Sequence, residues 1–108
     1  YSGNDDMNYS LLTLGAKGTI SVAANFVADK LFALVHSFQK GDLKAALQMQ
    51  MNLMPINRAL FAEVNPIPCK TAMEILGMCS GELRLPLYAI SEQGRAKLMA
   101  ALGGLGLV

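Results

Sequence analysis

Tryptophan is absent, histidine occurs once, cysteine occurs twice, and only 16% of the 108 residues are charged. Each shortage excludes something. One His and two widely spaced cysteines, Cys69 and Cys79, do not supply the clustered ligands of a zinc site. Two cysteines are also too few for a disulfide framework. Both read as reduced thiols, which suits a cytoplasmic protein. No basic stripe exists either. Lys17, Lys30, Lys40, Lys44, Lys70 and Lys97 are dispersed among acids and the net charge is +1. Nothing there tracks a phosphate backbone, so nucleic-acid binding is not expected. Long apolar runs are missing as well. A membrane span needs ~20 mostly apolar residues, and Lys30, Gln39 with Lys40, Lys44 and Asn52 interrupt every long stretch. The start shows no basic segment followed by an apolar one, so no signal peptide is read.

What is abundant is apolar surface, at 53% of residues. Soluble domains carry roughly 25% charged residues, so this chain is short of polar side chains for its size. Either it lies in a membrane or other protein covers much of it. The interrupted runs favour protein cover. The length suits one small domain with a modest core.

Along the chain, Tyr1-Ser2 reads as the end of a strand that runs into a Gly and two acids. Residues 5–14 suit a short helix, with Asp5 or Asp6 capping its first amides and Gly15 ending it. In "KGTISVAAN", Thr19, Ile20, Ser21 and Val22 are mostly β-branched, which predicts a short buried strand of the parallel type. Over residues 26–40 the period becomes helical, with Val27, Leu31, Leu34, Val35 and Phe38 on one face. Asp42 caps a further helix to about Glu63. Ala46, Met49, Leu53, Ile56 and Leu60 form one apolar stripe on it, and Leu43, Leu47, Met51, Met54 and Phe61 form another. Two stripes predict burial on more than one side, and Pro55 predicts a kink or a split. "VNPIP" predicts a rigid extended corner. Pro68 opens a helix to about Leu76, and Ser91 caps a last helix carrying Leu98 and Leu102. Strand and helix alternate only over the first 40 residues, and one strand with a stub makes no sheet. The pattern is that of the end of an α/β domain followed by a helical extension.

Chemistry-bearing residues are few. Asp5 and Asp6 suit either the mouth of a site at the carboxyl end of a strand or a helix cap that complements the dipole. The cap is the more economical reading. His36 falls opposite the apolar stripe of its helix and is expected to face solvent or a polar contact. No serine carries a nucleophile elbow. No lysine lies within the strand, so no Schiff-base lysine is expected here. The Met-rich stripe reads as core more readily than as an adaptable contact surface.

Three stretches, "YSGNDD", "KGTISVAAN" and "LFAEVNPIPCK", with "LMPINRALF" and "LRLPLYAISEQGR" around the last, resemble the C-terminal part of the dihydrodipicolinate synthase family. The combination is specific, although each motif alone is weak. Cys69 stands where Val is common, and "SVAAN" replaces the more frequent "SVTAN". The resemblance implies an α/β chain, mainly helical as given, that forms the last two β/α units of a TIM (β/α)₈ barrel plus a C-terminal helical domain. Residues 1–41 would hold the end of strand seven (1–2), helix seven, strand eight (18–23) and helix eight (26–40), and residues 42–108 the helical domain. It implies a lyase that condenses pyruvate with aspartate semialdehyde through a lysine Schiff base, without cofactor, as a homo-oligomer and usually a tetramer. The catalytic lysine, a tyrosine and threonines would belong to earlier strands, so the segment alone would be inactive. What carries over is a site wall. Gly3 matches a glycine beside bound substrate, and Asn4 and Asp5 match polar positions near the second substrate's entrance. Ile20 matches a residue whose carbonyl faces the catalytic lysine, and Asn65 lies in the NPxP corner at the rim. The competing expectations are another pyruvate-dependent aldolase, such as N-acetylneuraminate lyase, and a non-catalytic helical oligomerisation module. The orphan strand argues against the latter.

Overall fold

A computed structural model describes all 108 residues. Five α-helices follow one another: α1 (Asn8–Thr13), α2 (Ala24–Gln39), α3 (Leu43–Leu60), α4 (Ile67–Ile75) and α5 (Glu92–Gly104). A 3₁₀ turn, Asp5–Met7, leads into α1. The chain divides into two compact units, Tyr1–Met54 and Pro55–Val108.

In the first unit, the strand expected over 18–23 is reduced to one parallel bridge between Ser2 and Thr19. The Ser2 amide donates to the Gly18 carbonyl at 2.9 Å, and the Ile20 amide donates to the Ser2 carbonyl at 2.8 Å. A ladder grows only where a partner strand continues beside it, and here the partner ends at Tyr1. Burial follows the same limit. Ile20 is 74% exposed rather than enclosed. Helix α1 packs on α2, where Val27, Leu31 and Leu34 are buried as their spacing predicts. Tyr9 meets Phe38 edge to face at 5.7 Å. After its first turn α2 is interrupted at Val27 (φ −132°, ψ 39°). Gly15 (φ 101°) and Gly41 (φ 86°) take left-handed angles where α1 and α2 end, which side chains with a Cβ rarely adopt.

Asp42 caps α3 as expected, its side chain accepting from the Ala45 amide at 3.0 Å. Only one of the two stripes on α3 is buried. Ala46, Leu53, Ile56 and Leu60 are fully enclosed, whereas Leu43, Leu47, Met51 and Phe61 are 44–58% exposed. The second stripe has no neighbour within the chain to cover it. Pro55 neither ends nor splits the helix. It removes one backbone donor, and the remaining hydrogen bonds carry the helix through.

In the second unit, α4 packs on α5. Ile67, Cys69 and Ala72 of α4 and Leu98, Ala101 and Leu102 of α5 are buried. The corner before α4 is not extended. The Asn65–Pro66 bond is cis, and the Ile67 amide closes a turn on the Val64 carbonyl at 2.9 Å. Ser91 caps α5 as predicted, accepting from the Gly94 amide at 3.0 Å. Glu63 joins it, its carboxylate taking the Ser91 hydroxyl at 2.8 Å. A carboxylate at a helix N-terminus complements the dipole.

With a single bridge and a bare second stripe on α3, the isolated 108-residue chain is expected not to form a stable monomer. Sedimentation and thermal unfolding check this. A compact monomer with one sharp transition is the contrary result.

Candidate functional site

The site elements of the first unit surround the Ser2–Thr19 bridge. Ser2 hands the chain to Gly3, Asn4 and Asp5, and Thr19 hands it to Ile20. Gly3 is exposed. Its φ is not positive, and a Cβ added there would meet nothing within 4 Å. Nothing within the chain therefore demands glycine at position 3. Asn4 is exposed too, its side-chain amide reaching only the Met7 sulfur at 3.7 Å. Ile20 projects its side chain outward. Asn65 is exposed and belongs to the second unit.

Asp5 behaves differently. It is 2% exposed. One carboxylate oxygen accepts from the Val22 amide at 2.9 Å and the Ala23 amide at 3.2 Å. These amides immediately precede α2, so Asp5 caps a helix 17 residues downstream instead of its own. The Ser21 hydroxyl completes that end by accepting from the Ala24 amide at 3.0 Å. The other Asp5 oxygen accepts from the Asn8 side-chain amide at 3.3 Å. The carboxylate thereby holds the backbone at the start of α2. Asp6 is exposed.

The hydroxyl and carboxamide side chains of this cluster are those of Ser2, Asn8, Thr19 and Gln50, of which Asn8 and Gln50 escaped the sequence reading. Asn8, 1% exposed, accepts on its side-chain oxygen from the Ser2 hydroxyl at 2.6 Å and the Thr19 hydroxyl at 2.7 Å. Gln50, 5% exposed on α3, accepts from the Tyr9 amide at 2.9 Å and donates to the Asp5 carbonyl at 3.0 Å. A signal for both existed. Gln50 lies four residues after Ala46 and three before Leu53, and Asn8 lies four before Leu12, so each shares a helix face with a buried residue. A polar side chain on an apolar face is expected to be hydrogen-bonded inside.

Other expected residues settle plainly. His36 is not directed at solvent. It is half-buried, its ring stacks on Phe32 at 3.7 Å, and its Nδ1 is buried without a partner. Lys17 is exposed, and the Lys70 ammonium donates to the Glu82 carbonyl. Neither cysteine forms a disulfide; Cys69 is buried and Cys79 is exposed. No group of three or more His, Cys, Asp or Glu is gathered where it could hold a metal ion. No helix is long and apolar enough to cross a membrane.

Comparison with known proteins defines the class first. The fold superposes on dihydrodipicolinate synthase from Thermotoga maritima with a TM-score of 0.97 at 38% identity, covering 100% of this chain and 37% of that one. The chloride-inhibited enzyme from Acinetobacter baumannii, solved with pyruvate, gives 0.94 at 34% identity, again covering 100% and 37%. These are TIM-barrel enzymes, and the chain matches their C-terminal segment. Among curated relatives, the 4-hydroxy-tetrahydrodipicolinate synthase of Methanosarcina mazei is 45% identical over 107 residues, 99% of this chain and 37% of the relative. That of Endomicrobium trichonymphae is 44% identical over 107 residues, with the same coverage. The chain thus spans little more than a third of the length of these relatives. The profile of the Dihydrodipicolinate synthetase family matches residues 1–104, and the chain belongs to that family.

Replacing Asp5 by Ala is expected to destabilise the full chain by about 3 kcal/mol, since hydrogen bonds to charged groups contribute ~1.5–3 kcal/mol each and amides are left unpaired. The same change at exposed Asp6 is expected to stay within about 0.5 kcal/mol. Denaturant midpoints of the two variants check the contrast.

Proposed function

We propose that the chain forms the C-terminal wall of a (β/α)₈-barrel lyase that condenses pyruvate with aspartate semialdehyde on the route to diaminopimelate and lysine. The observation that carries this is the match along 99% of the chain, at 44–45% identity, to 4-hydroxy-tetrahydrodipicolinate synthases. Residues 1–41 complete the barrel and residues 42–108 form the helical domain. The compact units divide later, at Met54–Pro55, because the first half of α3 is tied to the site loop through Gln50.

In this reading a lysine from an earlier strand attacks the pyruvate carbonyl and water leaves. The resulting imine loses a proton to become the nucleophile that adds to the aldehyde. The present residues hold the surroundings. Gly3 is open on its Cα face, which lets a substrate approach the backbone closely. The Ile20 carbonyl, an acceptor with two lone pairs, orients the lysine amine. Asn4 offers an exposed carboxamide to the second substrate, and Asn65, exposed in the second unit, enters the reading through its motif alone. Asp5 belongs to the wall through its backbone, its carboxylate being spent on the Val22 and Ala23 amides. The working protein is a cytoplasmic homo-oligomer, and the exposed Leu43, Leu47 and Met51 stripe suits surface that other protein covers.

Borohydride reduction in the presence of pyruvate tests the reading. The expected result is stable labelling of the protein that carries the whole barrel and none of the 108-residue chain alone. Stoichiometric labelling of the short chain contradicts it.

A further inference from the structure

We propose that Asn8 is a positioning residue for the pyruvate site, fixing the spacing between the Gly3–Asn4 backbone and the Ile20 carbonyl without touching substrate. The proposal rests on the functional reading above and adds to it the group that holds the wall in place.

The bridge between Ser2 and Thr19 consists of two backbone hydrogen bonds, 2.9 and 2.8 Å long. Two bonds along one edge act as a hinge and leave rotation about that edge. A third tether off the edge removes it, and Asn8 supplies that tether. Its side-chain oxygen accepts the Ser2 hydroxyl at 2.6 Å and the Thr19 hydroxyl at 2.7 Å. Both lone pairs of the carboxamide oxygen are then used. The residues that follow these two hydroxyls in the chain are Gly3 and Ile20, so the tether sits one residue from each wall element.

The orientation of the Asn8 amide is itself determined. Its nitrogen faces the Asp5 carboxylate at 3.3 Å, and a carboxylate only accepts. The nitrogen must therefore point to Asp5 and the oxygen to the hydroxyls. Asp5 is anchored in turn by Val22 and Ala23, and Gln50 holds the Asp5 carbonyl and the Tyr9 amide from α3. Asn8 is 1% exposed. Bulk solvent does not reach its bonds, and its three hydrogen bonds hold the carboxamide in one orientation. A side chain that only filled this space would need no such pattern of one acceptor and one donor end.

The test uses the full chain with its upstream barrel and three variants. Asn8→Leu removes the acceptor at similar volume and leaves the half-buried Thr19 hydroxyl with only the Ser2 carbonyl, 3.5 Å away. Asn8→Leu with Thr19→Val removes that hydroxyl too, while Ser2 keeps its contact to the Asn4 carbonyl at 3.1 Å. Replacing both partners by apolar groups of like shape is close to neutral for stability. Asn8→Asp keeps the acceptor but opposes a second carboxylate to Asp5.

The expected result separates stability from turnover. The double variant regains the part of the thermal midpoint that the poorly paired Thr19 hydroxyl had cost, the lost Asn8 donor to Asp5 accounting for the remainder, yet its kcat at saturating pyruvate and its rate of borohydride-trapped imine stay about tenfold or more below the parent, the effect of a small misplacement of reacting groups. Asn8→Asp, which sets two carboxylates face to face, falls with the double variant in kcat although it keeps an acceptor oxygen. Recovery of kcat in step with stability in the double variant overturns the proposal, as does a parental kcat in Asn8→Asp. A parent that traps no pyruvate overturns the functional reading and the proposal with it. A parent that traps normally while the variants fail the contrast overturns the proposal alone.

Discussion

A carboxylate removed from water must find donors or lose its charge, and Asp5 finds them around itself. The amides of Val22 and Ala23 meet one oxygen, and the Asn8 amide meets the other. Both backbone donors stand at the start of α2, where the dipole favours negative charge. Satisfying this one group sets the rest of the first unit. It draws the turn after Ser2 against the start of α2. It turns the Asn8 carboxamide so that its oxygen faces Ser2 and Thr19. It leaves the Asp5 carbonyl to Gln50, which fastens α3 to the same place.

The consequence is a division of labour between neighbours in the chain. Ser2, Asp5, Asn8 and Gln50 are buried and spend their polar groups on each other and on the backbone. Gly3, Asn4 and Ile20, interleaved with them, are open. Buried polar networks that are fully satisfied rigidify their surroundings, and this one adjoins in sequence the exposed Gly3 and Ile20. The acid that looks most like a catalytic group is thus one whose carboxylate is tied to backbone amides.

Much of this fold is written locally and could be read that way. The stops at Gly15 and Gly41, the caps at Asp42 and Ser91, and the buried face of α2 follow from rules that need only a few neighbouring residues. What was misread depends on partners far away in sequence. Thr19–Val22 have strand composition, but a ladder needs a second strand and only Ser2 is present. The second stripe on α3 has core composition with nothing in this chain to cover it. Asp5 precedes one helix and caps another 17 residues on, which adjacency alone does not reveal. Gly3, Asn4, Ile20 and Asn65 are singled out by motif resemblance alone. Asn8 and Gln50 carry no motif and are marked only as polar residues on apolar faces.

Amide hydrogen exchange in the intact protein bears most directly on the buried cluster. Amides at a helix start and in a loop usually exchange fast, because no helical carbonyl engages them. Here the amides of Val22, Ala23 and Tyr9 donate to the buried side chains of Asp5 and Gln50. They are expected to exchange as slowly as the core amides of α2, through global unfolding only. Exchange at the rate of exposed loop amides would contradict the claim that the Asp5 cluster holds this part of the structure.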